Sequence, residues 1–400
     1  MVNGEYNKTV VRLYDRFNLE FMGGGEVFSI ELLNFLSTQY KVECVSDSRS
    51  RQISRKIENE VKGLTNFNYI KEPFQTYSKF PFSRISQNLP SIDILSESEC
   101  SLILIHRPVS RRFLRLSKQY NGTIIFLVHG LTFENLSQIF FHAPLLSIYY
   151  LYVKLLFKIN RRFYASKNIY FQILNNSQLT FFRSLGVSAN HIFKIENGIN
   201  FSRYKVGRND EKFIILFMGR IENQKGIDLL MKVVSSAEHA KLPICFVVLG
   251  SGKLAGKLDR FSKKYNNVEY RGYVAEEEKI KWLELSNLLV STSYIEPFST
   301  TIIEAFASGL PVVSTSASGP KSIISRETIF GHIVGLNASG LLKGIAEEYH
   351  RWSNDPEAYY CSKLRRREIA RKEFSADLEH NSYTNMIDYV RGNRRLKNEW

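Results

Sequence analysis

Short apolar runs that end in a glycine-bearing turn and lead into a helix-patterned segment recur along this chain, and this alternation restricts the fold more than any other feature. The clearest runs, Phe213–Met218 and Ile244–Leu249, do not alternate with polar residues, as expected for strands covered on both faces. Alternating strands and helices form parallel sheets with right-handed crossovers. The sequence therefore predicts the α/β class.

Other segments continue the same alternation and extend the prediction along the chain. Further strands are expected at Thr9–Tyr14, Leu102–Ile105, Thr123–His129, Val268–Arg271, Leu288–Ser291 and Pro311–Ser314, and helices at Glu26–Leu36, Gly226–Val234 and Ala376–Val390. A length of 400 residues exceeds what one hydrophobic core usually spans, so we expect two domains. Turn residues near 197–207 mark the boundary, which predicts domains over 1–198 and 199–375 and a C-terminal segment over 376–400.

Two carboxylates stand eight residues apart in the segment 296–313, around an expected helix start. Glu296 precedes a proline just before this helix, and Glu304 lies inside it. The N-terminus of a helix offers free N–H groups and the positive end of the dipole, which suit a phosphate. Carboxylates beside it suit sugar hydroxyls, so the segment predicts a site for a sugar carried on a diphosphate. Either glutamate taken alone fits better as a carboxylate favoured by the helix dipole or as a solvated surface residue, and only the full string favours the binding site.

A second motif, Gly-Arg-Ile-Glu-Asn-Gln-Lys-Gly at 219–226, follows one of the clear strands. The guanidinium of Arg220 can fork onto phosphate oxygens, and Lys225 adds a point charge. By themselves the two residues are as compatible with surface cations. The glycine turns at 23–25 and 250–252 are weaker signals of the same kind, because glycine lets the backbone approach a phosphate closely.

Positive charge is concentrated in residues 101–195, which hold 12 Lys or Arg and one acid, Glu134. A basic face can serve nucleic acid, anionic lipid or a phosphorylated substrate. Within it, residues 139–164 are rich in apolar and aromatic residues, and the sequence places Lys154, Lys158 and Arg161 or Arg162 on one helical face. This stretch predicts either a helix lying on an anionic membrane or a core helix with a charged edge.

Other features argue against whole classes of protein. No apolar run reaches about 18 residues and the start has no signal-peptide pattern, so we expect a cytoplasmic location. No Asp-x-Asp pair occurs, and no Cys/His spacing indicates a metal site. We therefore expect no metal and no cofactor.

The string Glu-Pro-Phe-Ser-Thr-Thr-Ile-Ile-Glu resembles the Glu-x7-Glu signature of retaining GT-B glycosyltransferases of the group 1, GT4-like type. The segment 219–226 is similar to the Gly-Arg-x4-Lys-Gly segment of the same family. The resemblance implies two Rossmann-like domains facing across a cleft. It implies transfer of a sugar, with retention, from a UDP- or GDP-linked donor to a glycan or lipid-linked acceptor. Together with the basic stretch at 139–164, we expect this transfer to take place at the cytoplasmic face of a membrane. The resemblance also implies that the helix at 376–400 returns to the first domain.

The resemblance assigns roles to individual residues. Glu296 and His129 would contact the transferred sugar, Arg220 and Lys225 would hold the diphosphate, and Glu304 would bind the ribose. The other implied donor contacts come from glycine turns, a base-binding segment and the helix start: Gly24, Gly25, Gly250, Tyr273, Val274, Phe298, Ser299 and Thr300. Three places depart from the family pattern. Ser299 stands for the usual Gly, Gly130 follows His129 where the family has Asp, and the segment 318–321 keeps a Gly but lacks the Glu that family members often have there.

Other functions remain open at this point. A sugar phosphorylase or a nucleotide-dependent disaccharide synthase could use the same fold and the same donor contacts. The isoelectric point of about 9.5 would also suit a nucleic-acid-binding protein. However, no RNP-like string or zinc finger appears, so we expect no nucleic-acid partner. An inactive scaffold is disfavoured because the Glu, Arg and Lys residues of both motifs are present.

Overall fold

The structure is a computed structural model that describes residues 10–15, 24–46, 66–69, 100–106, 122–131, 140 and 144–392. These residues divide into two compact units. The first contains the described residues up to 131 together with 149–195 and the chain from 380, and the second contains 140, 144–148 and 196–379. The domain limits at 198 and 375 stay predictions.

The first unit contains a seven-stranded sheet in which all neighbouring strands are parallel. Its strands are β1 Val10–Asp15, β2 Lys41–Ser46, β3 Asn66–Tyr69, β4 Cys100–His106, β5 Thr123–Leu127, β6 Ile169–Ile173 and β7 Ile192–Lys194. They follow the order β3-β2-β1-β4-β5-β6-β7. The sheet is therefore doubly wound, with its change of direction between β1 and β4.

The second unit contains a six-stranded sheet, which is also parallel throughout. Its strands are β8 Phe213–Met218, β9 Ile244–Leu249, β10 Val268–Gly272, β11 Leu288–Ser291, β12 Val312–Thr315 and β13 Gly331–Val334. The order β10-β9-β8-β11-β12-β13 again reverses at one place, between β8 and β11. Ligands of doubly wound sheets bind outside the carboxyl ends of the strands at such a reversal, so a ligand site is expected at the loops after β8 and β11.

Helices connect the strands and follow the last one. They are α1 Gly24–Ser37, α2 Pro144–Ile159, α3 Arg161–Tyr164, α4 Asn176–Ser184, α5 Ile227–His239, α6 Ala255–Ser262, α7 Glu276–Leu285, α8 Thr300–Ala307, α9 Ser318–Ile324, α10 Ala338–Asn354, α11 Pro356–Phe374 and α12 Ala376–Val390. Within the described ranges, no helix combines the length and the apolar character needed to cross a membrane.

The last helix contributes to the core of the first unit. Tyr383, Met386 and Ile387 of α12 are buried in one apolar cluster with residues of α1 and of the sheet, among them Leu33 and Leu104. The apolar positions of α12 are three or four residues apart, which places them on one helical face. The helix is thus part of this unit's core although it is distant in sequence.

Most of the strands expected from the sequence are confirmed, and those at Phe213–Met218, Ile244–Leu249 and Leu288–Ser291 agree residue for residue. The prediction for Thr123–His129 was two residues too long, since β5 ends at Leu127. Val128 still donates its N–H to the carbonyl of Gln172 at 3.0 Å, and the chain then turns away. The hydrophobic run alone did not mark this end.

Candidate functional site

The loop after β8 is fastened to the loop after β9 by backbone contacts. Ile221 donates its N–H to the carbonyl of Ser251 at 2.9 Å, and Gly219 donates to Leu249 at 3.1 Å. Gly250 has a φ of +132°, and a Cβ built on it would lie 1.8 Å from the carbonyl oxygen of Gly219. Only glycine fits there, so the glycine turn serves the close packing of two loops.

The same loop also contacts the one after β11. Gly226 has a φ of +66° immediately before α5, and a Cβ on it would lie 2.0 Å from the carbonyl oxygen of Thr292. Thr292 donates its hydroxyl to the carbonyl of Lys225 at 2.7 Å, and Tyr294 donates its N–H to the carbonyl of Gln224 at 3.0 Å. These contacts hold the backbone of Lys225 against the segment that carries Glu296.

Side chains of the two sequence motifs meet at this point. The ammonium of Lys225 forms an ion pair with the carboxylate of Glu296, and their side chains are only 17% and 11% exposed. Arg220 differs, because its side chain is 54% exposed and lies 3.4 Å from the carboxylate of Glu222. Lys225 is therefore fixed by an acidic partner, whereas the guanidinium of Arg220 reaches solvent.

The start of α8 follows Glu296 closely. Ser299 is the N-cap residue, is buried, and has a φ of −130°, a conformation open to any residue. Its hydroxyl lies 2.9 Å from that of Thr301 and makes no capping hydrogen bond. Serine is thus accommodated at this position without backbone strain. Phe298 is buried and Thr300, the first residue of the helix, is half-buried.

A small pocket lies beneath this helix start, at the carboxyl ends of β8 and β11. Lys225, Ser299 and Thr301 line it together with residues of the two strands and the loop after β11: Phe217, Met218, Leu289, Val290, Ser291 and Ser293. An ammonium group, hydroxyls and a helix N-terminus at one place form an environment suited to anionic oxygens.

Gly319, at the start of α9, supports the Glu296 segment, and this role was not identified from the sequence. It donates its N–H to the carbonyl of Glu296 at 2.8 Å. A Cβ on Gly319 would come within 2.5 Å of that carbonyl oxygen and 2.7 Å of the backbone of Phe298. The glycine after β12 was visible in the sequence, but its partner was not.

Glu304 is held from outside its own motif. Tyr204 donates its hydroxyl to Oε1 of Glu304 at 3.1 Å, and Lys279 of α7 donates to the same oxygen at 2.7 Å. Burial lowers the pKa of Lys279, but the carboxylates of Glu304 and Glu276 outweigh this and raise it above its usual value. Burial, and then the charge of Glu304, raise the pKa of Tyr204. Nothing in the spacing of the motifs indicated either residue.

The expected base-binding segment follows β10. Gly250 donates its N–H to the carbonyl of Gly272 at 2.7 Å, and Tyr270 donates its hydroxyl to the carbonyl of Gly250 at 2.9 Å. The segment therefore borders the glycine turn after β9. Val274 is half-buried, and the Tyr273 side chain is exposed to solvent.

The remaining predicted site residues lie in the first unit. His129, two residues past β5, has its Nε2 2.8 Å from Oε1 of Gln172, whose amide nitrogen donates to the carbonyl of Ile195 at 2.6 Å. The Gln172 oxygen therefore accepts, and Nε2 of His129 donates in this hydrogen bond. The ring also lies 4.0 Å from that of Phe28 and 5.0 Å from that of His106, centroid to centroid.

The glycine turn before α1 is described in part. Gly24 and Gly25 are the first two residues of α1, so they lie in its first turn and not in a loop before it. Gly23 and Glu134 lie outside the described residues.

The part of the chain that carries these loops is similar to known proteins. Residues 199–355 match the family model "Glycosyl transferases group 1". An uncharacterized glycosyltransferase of Methanocaldococcus jannaschii is 30% identical over 163 residues, which is 39% of this chain and 40% of that protein. The chain spans 34–55% of the length of the first curated relatives that it matches.

Solved structures match over nearly the whole chain. A glycosyltransferase from Rickettsia africae has a TM-score of 0.70 at 16% identity, covering 97% of this chain and 100% of that one. HepE from Anabaena in complex with UDP-glucose has a TM-score of 0.67 at 15% identity, covering 95% and 99%. Residues 199–355 thus match the group 1 glycosyl transferases, and the two parallel-sheet α/β domains match GT-B glycosyltransferase structures.

Proposed function

We propose that this protein is a retaining glycosyltransferase that takes its sugar from a nucleoside-diphosphate sugar. The observation that carries the proposal is the ion pair between Lys225 and Glu296 at the carboxyl ends of β8 and β11. It joins a phosphate-binding cation to a sugar-binding carboxylate at the start of a helix. A donor with a diphosphate next to a sugar would need both.

Each predicted residue has a role in this proposal. Arg220 and Lys225 bind the diphosphate, together with the N–H groups at the start of α8, Gly24 and Gly25 in the first turn of α1, and the glycine turn at Gly250. Glu304 binds the ribose, Glu296 binds hydroxyls of the transferred sugar, and His129 contacts the same sugar. Tyr273 and Val274 border the base. Retention of the anomeric configuration would be read from the product's anomeric signals by NMR.

Fixed cations would also replace a metal ion at the leaving diphosphate. The exposed guanidinium of Arg220 and the ammonium of Lys225 can balance the charge that develops there. We therefore propose metal-independent transfer. Turnover unchanged by EDTA would support it, and activity restored only by Mn²⁺ or Mg²⁺ after chelation would contradict it.

A thermal-shift panel of UDP, GDP, ADP and their sugars tests the donor class. A nucleotide present at one hundred times its dissociation constant adds about 2.7 kcal/mol to the free energy of unfolding. We expect the nucleotides of one base to raise the melting temperature well above the values reached with the nucleotides of the other two bases. If no nucleotide shifts the melting temperature while the protein is folded, the proposal fails.

We further propose a lipid-linked or membrane-borne acceptor, reached at an anionic membrane surface. The supporting observation is the exposed face of α2, where Leu151, Leu155 and Ile159 are 60%, 53% and 66% exposed. They stand four residues apart and so form one apolar stripe on the helix. A stripe of this kind can lie at headgroup depth.

Basic residues border the end of this stripe. Lys158, Arg161 and Arg162 are exposed there, next to the apolar side chains, and would face anionic lipid phosphates. The expectation that Lys154, Lys158 and Arg161 or Arg162 share one helical face is corrected in two ways. The helix ends at Ile159 and a separate turn begins at Arg161, and Lys154 is half-buried with its ammonium 5.9 Å from the ring of Phe181.

Flotation with vesicles tests this surface. We expect the protein to float with phosphatidylglycerol-containing vesicles at low salt and to be released by high salt, because charge contributes to binding. The double variant Leu151→Gln/Leu155→Gln should lose flotation, and the matched variant Leu364→Gln/Leu378→Gln, at exposed leucines of α11 and α12, should retain it. No flotation of the wild type at low salt would contradict a membrane-borne acceptor without affecting the donor site.

A further inference from the structure

We propose that Lys279 and Tyr204 are positioning residues that set the protein's preference for ribose over deoxyribose in the donor nucleotide. They would do so by fixing the carboxylate of Glu304 in one orientation. The inference rests on the proposed function, in which Glu304 binds the ribose. It goes further by naming what holds that carboxylate and which substrate feature it selects.

The contacts to Glu304 are divided unequally between its two oxygens. The hydroxyl of Tyr204 and the ammonium of Lys279 both donate to Oε1, at 3.1 and 2.7 Å. Among the described residues, none donates a hydrogen bond to Oε2. The side chain is 13% exposed, so solvent still reaches it. One oxygen is anchored by the protein and the other is available to a ligand hydroxyl.

Charge keeps this arrangement in place. Lys279 lies 2.7 Å from Glu304 and 2.8 Å from Glu276, and Glu276 in turn lies 3.0 Å from Arg203. The ammonium thus separates two carboxylates that would otherwise repel each other. Removing it would leave Glu304 partly buried with one donor fewer and a like charge close by, and its side chain would gain rotational freedom.

An anchored carboxylate is suited to telling ribose from deoxyribose. A carboxylate oxygen accepts a strong, charge-assisted hydrogen bond from a hydroxyl, and 2′-deoxyribose lacks one of the two that ribose offers. The discrimination depends on holding the acceptor in place before the ligand arrives. If Glu304 were free to turn, both sugars would be bound less selectively.

The alternative is that Lys279 and Tyr204 serve only to tie α7 and α8 together. That role predicts a loss of stability with no change in the preference between two nucleotides. If Lys279 instead bound the diphosphate, replacing it would weaken the binding of the ribonucleotide and of the deoxyribonucleotide by the same factor. The ratio of the two dissociation constants therefore separates positioning from both.

The experiment measures dissociation constants of UDP and 2′-deoxy-UDP by calorimetry, or of the corresponding pair for the base that the thermal-shift panel selects. We expect the wild type to bind the ribonucleotide about tenfold more tightly or better. Lys279→Met should reduce this ratio to below about threefold, and Tyr204→Phe should reduce it by a smaller factor. Lys281→Met, at an exposed lysine two residues along α7, is the matched control and should keep the wild-type ratio.

Conservative replacement gives a second readout. Lys279→Arg keeps the positive charge between the two carboxylates and should restore most of the preference that Lys279→Met loses. A wild-type ratio in folded Lys279→Met, or equal weakening of both nucleotides, would overturn the inference. If the wild type binds neither nucleotide of any base, it is the proposed function that fails.

Discussion

The ammonium of Lys225 and the carboxylate of Glu296 form an ion pair across 71 residues of sequence. Lys225 belongs to the loop after β8 and Glu296 to the loop after β11, the two strands between which the order of the sheet reverses. Both side chains are mostly buried. A diphosphate arriving next to Lys225 would compete with Glu296 for the ammonium, and Glu296 would then be available to the sugar.

The first prediction concerns Glu296→Gln. The amide keeps the size of the side chain but cannot hold Lys225 as an ion pair, so the lysine remains available to the diphosphate. Nucleotide affinity should stay within about threefold of the wild type, while transfer should slow by about a hundredfold or more. Calorimetry with the nucleotide and a turnover assay check the two parts separately.

A matched control for this variant is Glu211→Gln, at an exposed glutamate before β8. It removes the same charge without touching the site and should leave both measurements unchanged. Turnover at the wild-type rate in Glu296→Gln would remove this residue from the proposed mechanism.

The second prediction concerns Gly250→Ala. The added Cβ would lie 1.8 Å from the carbonyl oxygen of Gly219, at a φ of +132° that alanine rarely adopts. The loops after β8 and β9 must separate, so we expect a loss of roughly 3 kcal/mol in the free energy of unfolding and weaker nucleotide binding. Denaturant unfolding and nucleotide titration measure these effects.

Gly256→Ala provides the comparison. Gly256 lies in α6, has no positive φ, and a Cβ on it would meet nothing within 4 Å. Alanine there should stabilise the protein by about 0.5–1 kcal/mol. Equal stability changes in the two variants would contradict the close packing of the two loops.

The third prediction concerns the far end of α8. Arg366 of α11 is fully buried and donates to the carbonyls of Gly309 and Ile329, both at 2.5 Å. Arg366→Met would leave both carbonyls without this donor and should cost about 2–4 kcal/mol. Arg365→Met, at the exposed neighbouring residue, should stay within about 0.5 kcal/mol of the wild type in the same denaturation series. A small effect of Arg366→Met would mean that this arginine does not hold the end of the site helix.

Sequence patterns predicted the strands and the position of the site helix because these depend on local information. The run Phe213–Met218 is apolar throughout, and the carboxylates around the start of α8 lie within one motif. The end of β5 was misjudged because apolar residues continue past the last ladder residue, Leu127. The pattern of apolar residues does not show where the hydrogen bonding between strands ends.

The partners of the site residues could not be predicted, since they depend on tertiary contacts. Lys279 and Tyr204 reach Glu304 from 25 and 100 residues away, and Gly319 packs on Glu296 from the start of α9, a segment to which the sequence assigned no role. None of them stands at a spacing that sequence reasoning can test. Their roles can be assigned only from the tertiary structure, which brings them next to α8 and to the segment before it.

The last prediction concerns the pH dependence of stability. Nε2 of His332 on β13 lies 3.0 Å from Oε1 of Glu348, a fully buried carboxylate on α10. The hydrogen bond to Glu348 raises the pKa of His332 above 6.5. Burial alone would raise the pKa of Glu348, but the hydrogen bond from His332 and the charge of Arg351 lower it below 4.5.

The two shifts act over different pH ranges. The contribution of His332 to the free energy of unfolding is complete below pH 6.5 and is lost as the pH rises through its folded-state pKa. That of Glu348 is present above pH 4.5 and is lost as the pH falls through its folded-state pKa. Both are complete between pH 4.5 and 6.5.

The stability difference between the wild type and His332→Gln should therefore be largest in this interval and should shrink towards pH 8. Urea unfolding across this range measures it, with His239→Gln, at an exposed histidine of α5, as the control. A difference that grows above pH 6.5 would contradict the assignment of a protonated His332 to this pair.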